Sequence, residues 1–455
     1  MPIPSSFSRP RVAFLIGAAT SNSGKTTLTI GLLRALRERG LQVQPFKCGP
    51  DYIDPKYHAI ASGQTSVNLD TWLSSPEHVA WLFAHYGAGA DASVVEGVMG
   101  LFDGYHAARG SSAEMARLLD IPVLLVVNAK SVAYSVAPLI YGFKHFDSTV
   151  RVAGVLFNQV ASANHAAFLQ QACKDAGVPC LGYLPRMKEI ELPSRHLGLT
   201  LETIYSLDSF SLRIAEALEQ HVDMERLIEL CTVKSGKDAS HAEMTFTGAL
   251  SPMRCTWQKE IHRIAVASDD AFNFTYRHNL ERLAEVGEIK YFSPLHDTAL
   301  PEADFVYLPG GYPEFFLEAL SSNRTMLESV RSYVENGGHL LAECGGMMYL
   351  CDRICGMDSV SYPMAGVFPL EATMQGMRLH LGYRALKYGN MTFRGHEFHY
   401  SDVHPLDGYE NLSSVARQLN ARGEEVPTAL YRYKNTVAGY THLYWGENNL
   451  FDLFV

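Results

Sequence analysis

Two short stretches carry residues whose types and spacing can do chemistry. The first is Gly24-Lys25-Thr26-Thr27, which follows the apolar run 12–16 and the turn Gly17-Ala18-Ala19-Thr20-Ser21-Asn22-Ser23. A strand that passes through such a turn into a helix makes a phosphate cradle. Backbone N–H groups and the helix N-terminus face the anion, a lysine reaches the β- and γ-oxygens, and a hydroxyl can hold Mg2+. Lys25 and Thr26 suit the last two roles, and Gly24 and Thr27 complete the nucleotide-binding set. Ala19 stands where such loops ordinarily carry their first glycine. The second stretch is Leu340-Leu341-Ala342-Glu343-Cys344-Gly345-Gly346-Met347-Met348. A cysteine on a tight strand-to-helix turn is presented as a nucleophile, and a helix N-terminus favours its thiolate. The pattern predicts a reactive Cys344 of lowered pKa, with small neighbours that let a substrate approach.

Each stretch needs partners. Phosphoryl transfer requires hard oxygen ligands and charge placed around the γ-phosphate. Lys47-Cys48-Gly49-Pro50-Asp51-Tyr52-Ile53-Asp54-Pro55 follows the second expected strand, and Glu96-Gly97-Val98-Met99-Gly100-Leu101-Phe102-Asp103-Gly104 follows the third. Ligands bind at the carboxyl ends of strands in open parallel sheets, which makes Asp51, Asp54, Glu96 and Asp103 candidates. A nucleophilic cysteine needs a base. His442, in Gly439-Tyr440-Thr441-His442, is one candidate; His396 and His399, in Arg394-Gly395-His396-Glu397-Phe398-His399, are the others. The last two are three residues apart, which does not match the four-residue spacing of a helical zinc motif.

The elements that must position these groups can be read from the pattern. Apolar runs at 12–16, 43–46, 93–95, 122–127 and 152–157 alternate with helical periodicity, such as Leu28, Leu32, Leu33 and Leu36 closed by Gly40. Such alternation implies a mostly parallel sheet covered by helices. The segment from Lys234 to Gln258 is rich in Ser, Gly, Lys, Thr and His and reads as a linker. A second α/β pattern then starts at Arg263, with runs at 264–267, 289–292, 305–308 and 340–342. The expected organisation is therefore an α/β chain of two domains, 1–235 and 263–455, joined by 236–262. Of its 455 residues 47% are hydrophobic and 19% charged, enough apolar material for two cores. The net charge of -10 comes without a basic stripe, which argues against a nucleic-acid partner. Eight cysteines form no CxxC pair, in keeping with a reducing, cytoplasmic setting. No run approaches the roughly 18 apolar residues of a spanning helix. The apolar start, 12–19, fits a strand before a phosphate loop better than a signal peptide.

Several blocks resemble one family. Lys47 to Pro55, Asn68-Leu69-Asp70, Glu96 to Gly104 and Gly110-Ser111-Ser112-Ala113-Glu114 are similar, in order, to those of the cobyrinic acid a,c-diamide synthases. The first half of that family is similar to dethiobiotin synthetase, a P-loop fold. The blocks around Gly311, Cys344 and His442 resemble its class I glutamine amidotransferase domain. The segment 201–230 carries little of the resemblance.

The resemblance implies ATP as co-substrate with Mg2+ served by Thr26 and Glu96, Asp51 joining the metal set. It implies that Asp51, Asp54 and Asp103 act around the nucleotide and a substrate carboxylate. Lys47 would join the nucleotide-binding set, and Asn158 would lie near the adenine. Asn128 stands where relatives carry an aspartate. In the second half Cys344 would be the nucleophile, His442 its base, and Gly311 and Gly345 the oxyanion donors. Tyr444 occupies the place of a glutamate common among class I relatives, which suggests a Cys–His dyad.

The expected reaction is ATP-dependent conversion of the a and c acetates of cobyrinate to amides through an acyl phosphate. Ammonia would come from glutamine along a sheltered path. Ni-sirohydrochlorin or hydrogenobyrinate would serve the same machinery. A ParA/MinD-like ATPase switch would share the phosphate loop but leave the Cys–His half without a task. Small molecules are the expected partners, with a homodimer left open.

Overall fold

The computed structural model describes residues 11–187, 201–233, 253–254, 261–409 and 412–455. The chain forms two compact units, Met1–Thr247 and Gly248–Val455. The expected linker falls largely outside the described residues, which include only 253–254 and 261–262 of that stretch.

The first unit begins with β1 (Arg11–Ala18), α1 (Lys25–Glu38), β2 (Val43–Cys48), α2 (Asp54–Ser62), β3 (Val67–Leu69) and α3 (Pro76–Gly87). It continues through β4 (Ala92–Glu96), α4 (Ser112–Leu118), β5 (Val123–Asn128), α5 (Val136–His145), β6 (Val152–Val160) and α6 (Ala163–Ala176). It closes with β7 (Cys180–Pro185), α7 (Leu201–His221), α8 (Met224–Cys231) and β8 (Thr232–Val233). Seven parallel strands run in the order β3-β2-β4-β1-β5-β6-β7, and β8 pairs antiparallel with β1. Both faces are covered, so β1 feeds two cores. Phe14 and Ile16 join Leu28, Leu32 and Leu36 of α1 on one side, while Ala13 and Leu15 join Val95 and Leu125 on the other. Each of those leucines, fully buried, contributes roughly 1.5–3 kcal/mol. Gly40 ends α1 as expected: its φ of 83° suits glycine, and Leu41 N closes back on Leu36 O at 3.2 Å.

One strand escaped the sequence reading. β3 has three residues, too few to show a period. Glu96 therefore ends the fourth strand, not the third. The sheet order then places β4 between β2 and β1, and Glu96 pairs in register with both Lys47 and Ile16.

The second unit opens with β9 (Arg263–Ala267), α9 (Arg277–Ala284), β10 (Glu288–Phe292), β11 (Phe305–Leu308), α10 (Leu317–Ser322), α11 (Arg324–Glu335), β12 (His339–Glu343) and α12 (Gly345–Leu350). A strand-rich region follows: β13 (Cys351–Cys355), β14 (Ser361–Pro363), β15 (Phe368–Thr373), β16 (His380–Tyr388), β17 (Met391–His399) and β18 (Asp402–Pro405). The last strands are β19 (Arg417–Leu419), β20 (Glu425–Val426), β21 (Leu430–Tyr433), β22 (Thr436–Gly439) and β23 (His442–Tyr444), before a 3-10 turn at Leu450–Phe454. The central sheet has the order β10-β9-β11-β12-β22-β21, parallel except for β21 against β22. Its residues also alternate between two cores: Ile264 and Val266 face one, Ala265 and Ala267 the other. The sheets β14-β13-β15-β18 and β20-β19-β16-β17-β23 were not anticipated. Strands such as β16, largely half-buried along its length, lack the apolar runs that marked the central sheet.

Candidate active sites

The phosphate loop bridges β1 and α1, and Gly24 occupies its tightest point. Its φ is 94°, and a Cβ there would stand 2.0 Å from Asn158 Nδ2. Asn158, from β6, donates to Ser23 O at 3.0 Å and so holds the loop from beneath. Thr26 Oγ1 donates to Glu96 Oε1 at 2.6 Å and lies 3.4 Å from Asp54 Oδ2. Lys47 Nζ lies 2.8 Å from Asp54 Oδ2 and 3.2 Å from Glu96 Oε1. Lys25 Nζ donates to Met99 O, on the loop after β4. The ends of β1, β2 and β4 thus bring half-buried Thr26 and buried Lys25, Lys47, Asp54 and Glu96 into one cluster. Asp103 joins it electrostatically through Lys25 and anchors its own loop by accepting from Gly100 N at 2.9 Å.

Asp51 lies just before α2, within electrostatic reach of Lys47 and Asp54. Its Oδ1 accepts from Ile53 N at 2.8 Å and Asp54 N at 3.0 Å, fixing the start of α2. Asp54 is the carboxylate beside Thr26. The sequence reading also missed His58, whose Nε2 meets Glu96 Oε2 at 2.5 Å. It sits four residues after Asp54 on α2, a spacing that puts both on one helix face.

Burial dominates the charges here, and pairing decides their direction. Burial works against the Lys47 ammonium, but Asp54, Glu96 and Asp51 outweigh it and hold its pKa above the usual value. Burial lowers the Lys25 pKa, with Lys47 adding to the effect. Asp54 is pushed up to about 6 by burial, against the pull of Lys47. Glu96 goes the other way: Lys47, His58 and Thr26 together overcome its burial and hold it low. The two carboxylates share one lysine, and the one with more donors, Glu96, is held the lower of the two. Among the described residues no three His, Cys, Asp or Glu side chains form a metal-binding group. Thr26, Glu96 and Asp54 supply oxygens only, a donor set that could hold Mg2+ together with phosphate oxygens.

Beside the loop, a cavity of about 400 Å³ is lined by Thr27, Lys130, Asn158, Gln159, Pro185 and Arg186. Its size and its place at the strand ends suit a nucleobase. Asn128 pairs in register with Asn158, and its Oδ1 accepts from Lys130 N at 2.9 Å, shaping the turn that carries Lys130 to the cavity.

In the second unit Cys344 sits on the strand-to-helix turn, as expected. Its φ of 49° is strained for a residue with a Cβ, and its N–H donates to Gly439 O at 2.8 Å. That bond ties the elbow to β22, the strand that leads to His442. A chain of close approaches completes the link. A Cβ on Gly345 would stand 3.2 Å from Gly311 N, and one on Gly310 would stand 2.2 Å from His442 Cε1. Cys344, Gly345, Gly311, Gly310 and His442 therefore gather at the ends of β11, β12 and β22.

The lowered pKa expected of Cys344 is not found. Burial pushes the thiol well up, Glu314, Glu397 and Glu343 add to this, and the Gly345 N–H only partly opposes it. A single helix end does not offset full burial among carboxylates. His442 is fully buried, and burial together with His396 and His399 holds its pKa far down, so the imidazole is neutral. His396 stacks on His442 at 5.1 Å between centroids, and its Nδ1 lies 3.1 Å from Tyr276 Oη. His399 stacks on Tyr440 at 3.6 Å and on His380 at 4.8 Å. Both flanking histidines thus line or support the site.

Tyr444 packs edge-on against Tyr276 at 5.5 Å. One buried carboxyl group near both Cys344 and His442 has no counterpart among the expected site residues. Glu343, just before Cys344, accepts from Leu443 N at 3.0 Å and from Tyr307 Oη at 2.7 Å, and burial raises its pKa to about 8. It joins the residue before the elbow to the residue after His442.

The crowding at Gly310 has a measurable consequence. Gly310→Ala forces the His442 ring aside and is expected to cut glutamine hydrolysis about a hundredfold, the scale of an ångström-sized misplacement. Steady-state glutaminase assays check this, with ammonia-driven synthesis as the control that should not change.

Comparison with known proteins follows the same division. Residues 14–199 match the model of the CobQ/CobB/MinD/ParA nucleotide binding domain. Residues 263–450 match the CobB/CobQ-like glutamine amidotransferase domain. The chain is 40% identical to a hydrogenobyrinate a,c-diamide synthase of Brucella abortus biovar 1, covering 94% of this chain and 98% of the relative. It is 38% identical to a cobyrinate a,c-diamide synthase of Listeria innocua serovar 6a, covering 95% and 96%. A cobyrinate a,c-diamide synthase of Picrophilus torridus is 39% identical, with 96% of each chain covered. A ParA/MinD-like switch is not supported, because the amidotransferase match accounts for the second unit. No helix among the described residues is long and apolar enough to cross a membrane, and the described cysteines are free thiols. With near-complete coverage at this identity, the chain belongs to the family of cobyrinate and hydrogenobyrinate a,c-diamide synthases.

Proposed function

We propose that this protein converts the a and c acetate carboxylates of cobyrinate to amides, using ATP and glutamine-derived ammonia. The observation that carries the reading is the presence, in one chain, of a charged phosphate-loop cluster and a strained Cys344 elbow gathered with His442. A carboxylate does not react with ammonia directly, because its leaving group would be oxide. In the first unit a substrate carboxylate oxygen attacks the γ-phosphorus of ATP, and ADP departs with the electrons of the broken P–O bond. The loop N–H groups and Lys25 hold the phosphates, and Lys47 keeps Asp54 and Glu96 in place. Mg2+, held by Thr26 and Glu96 with phosphate oxygens, would neutralise the charge developing on the transferred group. Asp103, which interacts with Lys25, acts around the nucleotide by holding that ammonium. Ammonia then attacks the acyl carbon of the acyl phosphate. Phosphate leaves with the electron pair of the C–O bond, and the proton shed by nitrogen passes to a nearby base, for which Asp54 is suited.

In the second unit the Cys344 thiol, neutral at rest, transfers its proton to neutral His442 as sulfur attacks the glutamine amide carbon. The N–H groups of Gly311 and Gly345 face the oxyanion. His442 returns the proton to the departing ammonia, leaving a thioester that water hydrolyses to glutamate. Glu343 supports this by holding Leu443 and, through it, the position of His442.

The name of one relative, a hydrogenobyrinate a,c-diamide synthase, supports a second reading, with hydrogenobyrinate as substrate. Mass spectrometry of reactions containing Mg-ATP, glutamine and either cobyrinic acid, hydrogenobyrinic acid or Ni-sirohydrochlorin decides between them. Two successive acid-to-amide conversions of cobyrinic acid, with ADP and glutamate formed, are expected. Conversion of hydrogenobyrinic acid alone moves the assignment to the metal-free corrin. Conversion of none overturns the substrate class.

A further inference from the structure

Two loops beside the phosphate cluster are stapled to each other. Thr71 and Trp72 follow β3, and residues 102–110 follow β4; these strands lie on either side of β2. Glu114 of α4 joins them, since its Oε2 accepts from Thr71 Oγ1 at 3.1 Å and from Gly110 N at 2.5 Å. Asp70 Oδ1 fixes the first loop by accepting from Trp72 N at 2.7 Å and Leu73 N at 3.0 Å. The second loop closes on itself through Tyr105 N to Arg109 O at 2.9 Å, with His106 bridged to Arg109. Its glycines are obligatory: a Cβ on Gly104 would stand 2.0 Å from Arg109 O, and one on Gly110, whose φ is 77°, 2.4 Å from the Tyr105 ring.

This framework presents one chemical surface. Trp72 and Tyr105 meet edge to face, 5.3 Å between centroids and 72° between planes, and both rings are half-buried. His106 and Arg109 stand exposed on the same hairpin. Asp103, two residues before Tyr105, interacts electrostatically with Lys25 of the phosphate loop. A flat, largely apolar ring system edged with carboxylates needs an aromatic wall for its body and a cation for its rim. It also needs one carboxylate to reach the γ-phosphate. These three requirements meet here within one stapled pair of loops.

We propose that Trp72 and Tyr105 form the wall on which the substrate macrocycle packs, with Arg109 pairing with a peripheral carboxylate. The hairpin then delivers an acetate to the phosphate loop beside Asp103. The inference rests on the functional reading above and adds the residues that recognise the ring.

Its test uses the full chain with saturating ammonia, so that glutamine chemistry does not enter. KM is measured for ATP and for the corrin acid that the wild type amidates, and difference absorbance of the corrin gives its affinity without ATP. Trp72→Ala and Tyr105→Ala are each expected to raise the corrin KM and weaken its binding about tenfold, the scale of an aromatic contact, with the ATP KM unchanged. Arg109→Gln, on the surface and outside the staple's side-chain bonds, should do the same and covers the case in which an alanine variant fails to fold. Unchanged corrin affinity in a folded aromatic variant and in Arg109→Gln overturns the proposal. So does a parallel rise in both KM values, which would mark the loops as mere support for the nucleotide site. A wild type that amidates no tetrapyrrole acid fails the functional reading before any variant is made, and this inference falls with it.

Discussion

Replacing Cys344 by serine is expected to reduce glutamine-driven amidation by roughly 10³-fold or more, the scale on which loss of a catalytic nucleophile acts. Ammonia-driven amidation should persist at the wild-type rate when the pH supplies free ammonia. The asymmetry follows from the two compact units, each with its own reactive cluster. The substitution changes one atom on a buried elbow whose N–H bond to Gly439 O is made by the backbone and is retained. A serine hydroxyl, harder to deprotonate than a thiol, would depend entirely on His442. That imidazole is held neutral but is a weak base, because burial disfavours its cation. Coupled assays of glutamate release and corrin amide formation, with glutamine or ammonium chloride, check both parts. Loss of ammonia-driven synthesis as well would sink the division of labour between the units.

The reciprocal change is Lys25→Met. Amidation from either nitrogen source is expected to fall about 10³-fold, because the methionine keeps the shape but removes the charge placed on the γ-phosphate. Glutamine hydrolysis should survive. Lys25 lies in a cluster whose other cation, Lys47, is already committed to Asp54 and Glu96. Lys47 therefore has no spare capacity to replace it. Nucleotide affinity measured by calorimetry, alongside the two amidation assays and the glutaminase assay, separates loss of binding from loss of transfer. Ammonia-driven synthesis at the wild-type rate in this variant would remove Lys25 from the mechanism.

Much of the two clusters was legible in the chain because their parts are local. A phosphate loop needs a strand, a turn and a helix in succession, and 12–27 carry all three in order. The Cys344 elbow is likewise a contiguous strand, turn and helix, flanked by glycines whose small size the fold requires. The alternation of apolar runs and helical periods marked two α/β units, since parallel sheets covered on both faces bury nearly every strand residue. Strands with one wetter face, such as β16 and β17, and the three-residue β3 left no such trace.

What the sequence by itself determined was which chemical groups this protein owns and the local turns that present them. The tertiary structure alone decided their company and therefore their charge. Asp54 stands beside Thr26, while Asp51 turns back to accept from Ile53 N and Asp54 N just before α2. His58 reaches Glu96, and Glu343 reaches Leu443, across gaps of 38 and 100 residues. Cys344 is raised rather than lowered, because the second unit buries it among Glu314, Glu397 and Glu343. Spacing along a chain specifies helix faces and strand ends, whereas a pKa depends on burial and on charges a few ångströms away in space. Those neighbours come from sheet order, and sheet order is set when the whole unit packs.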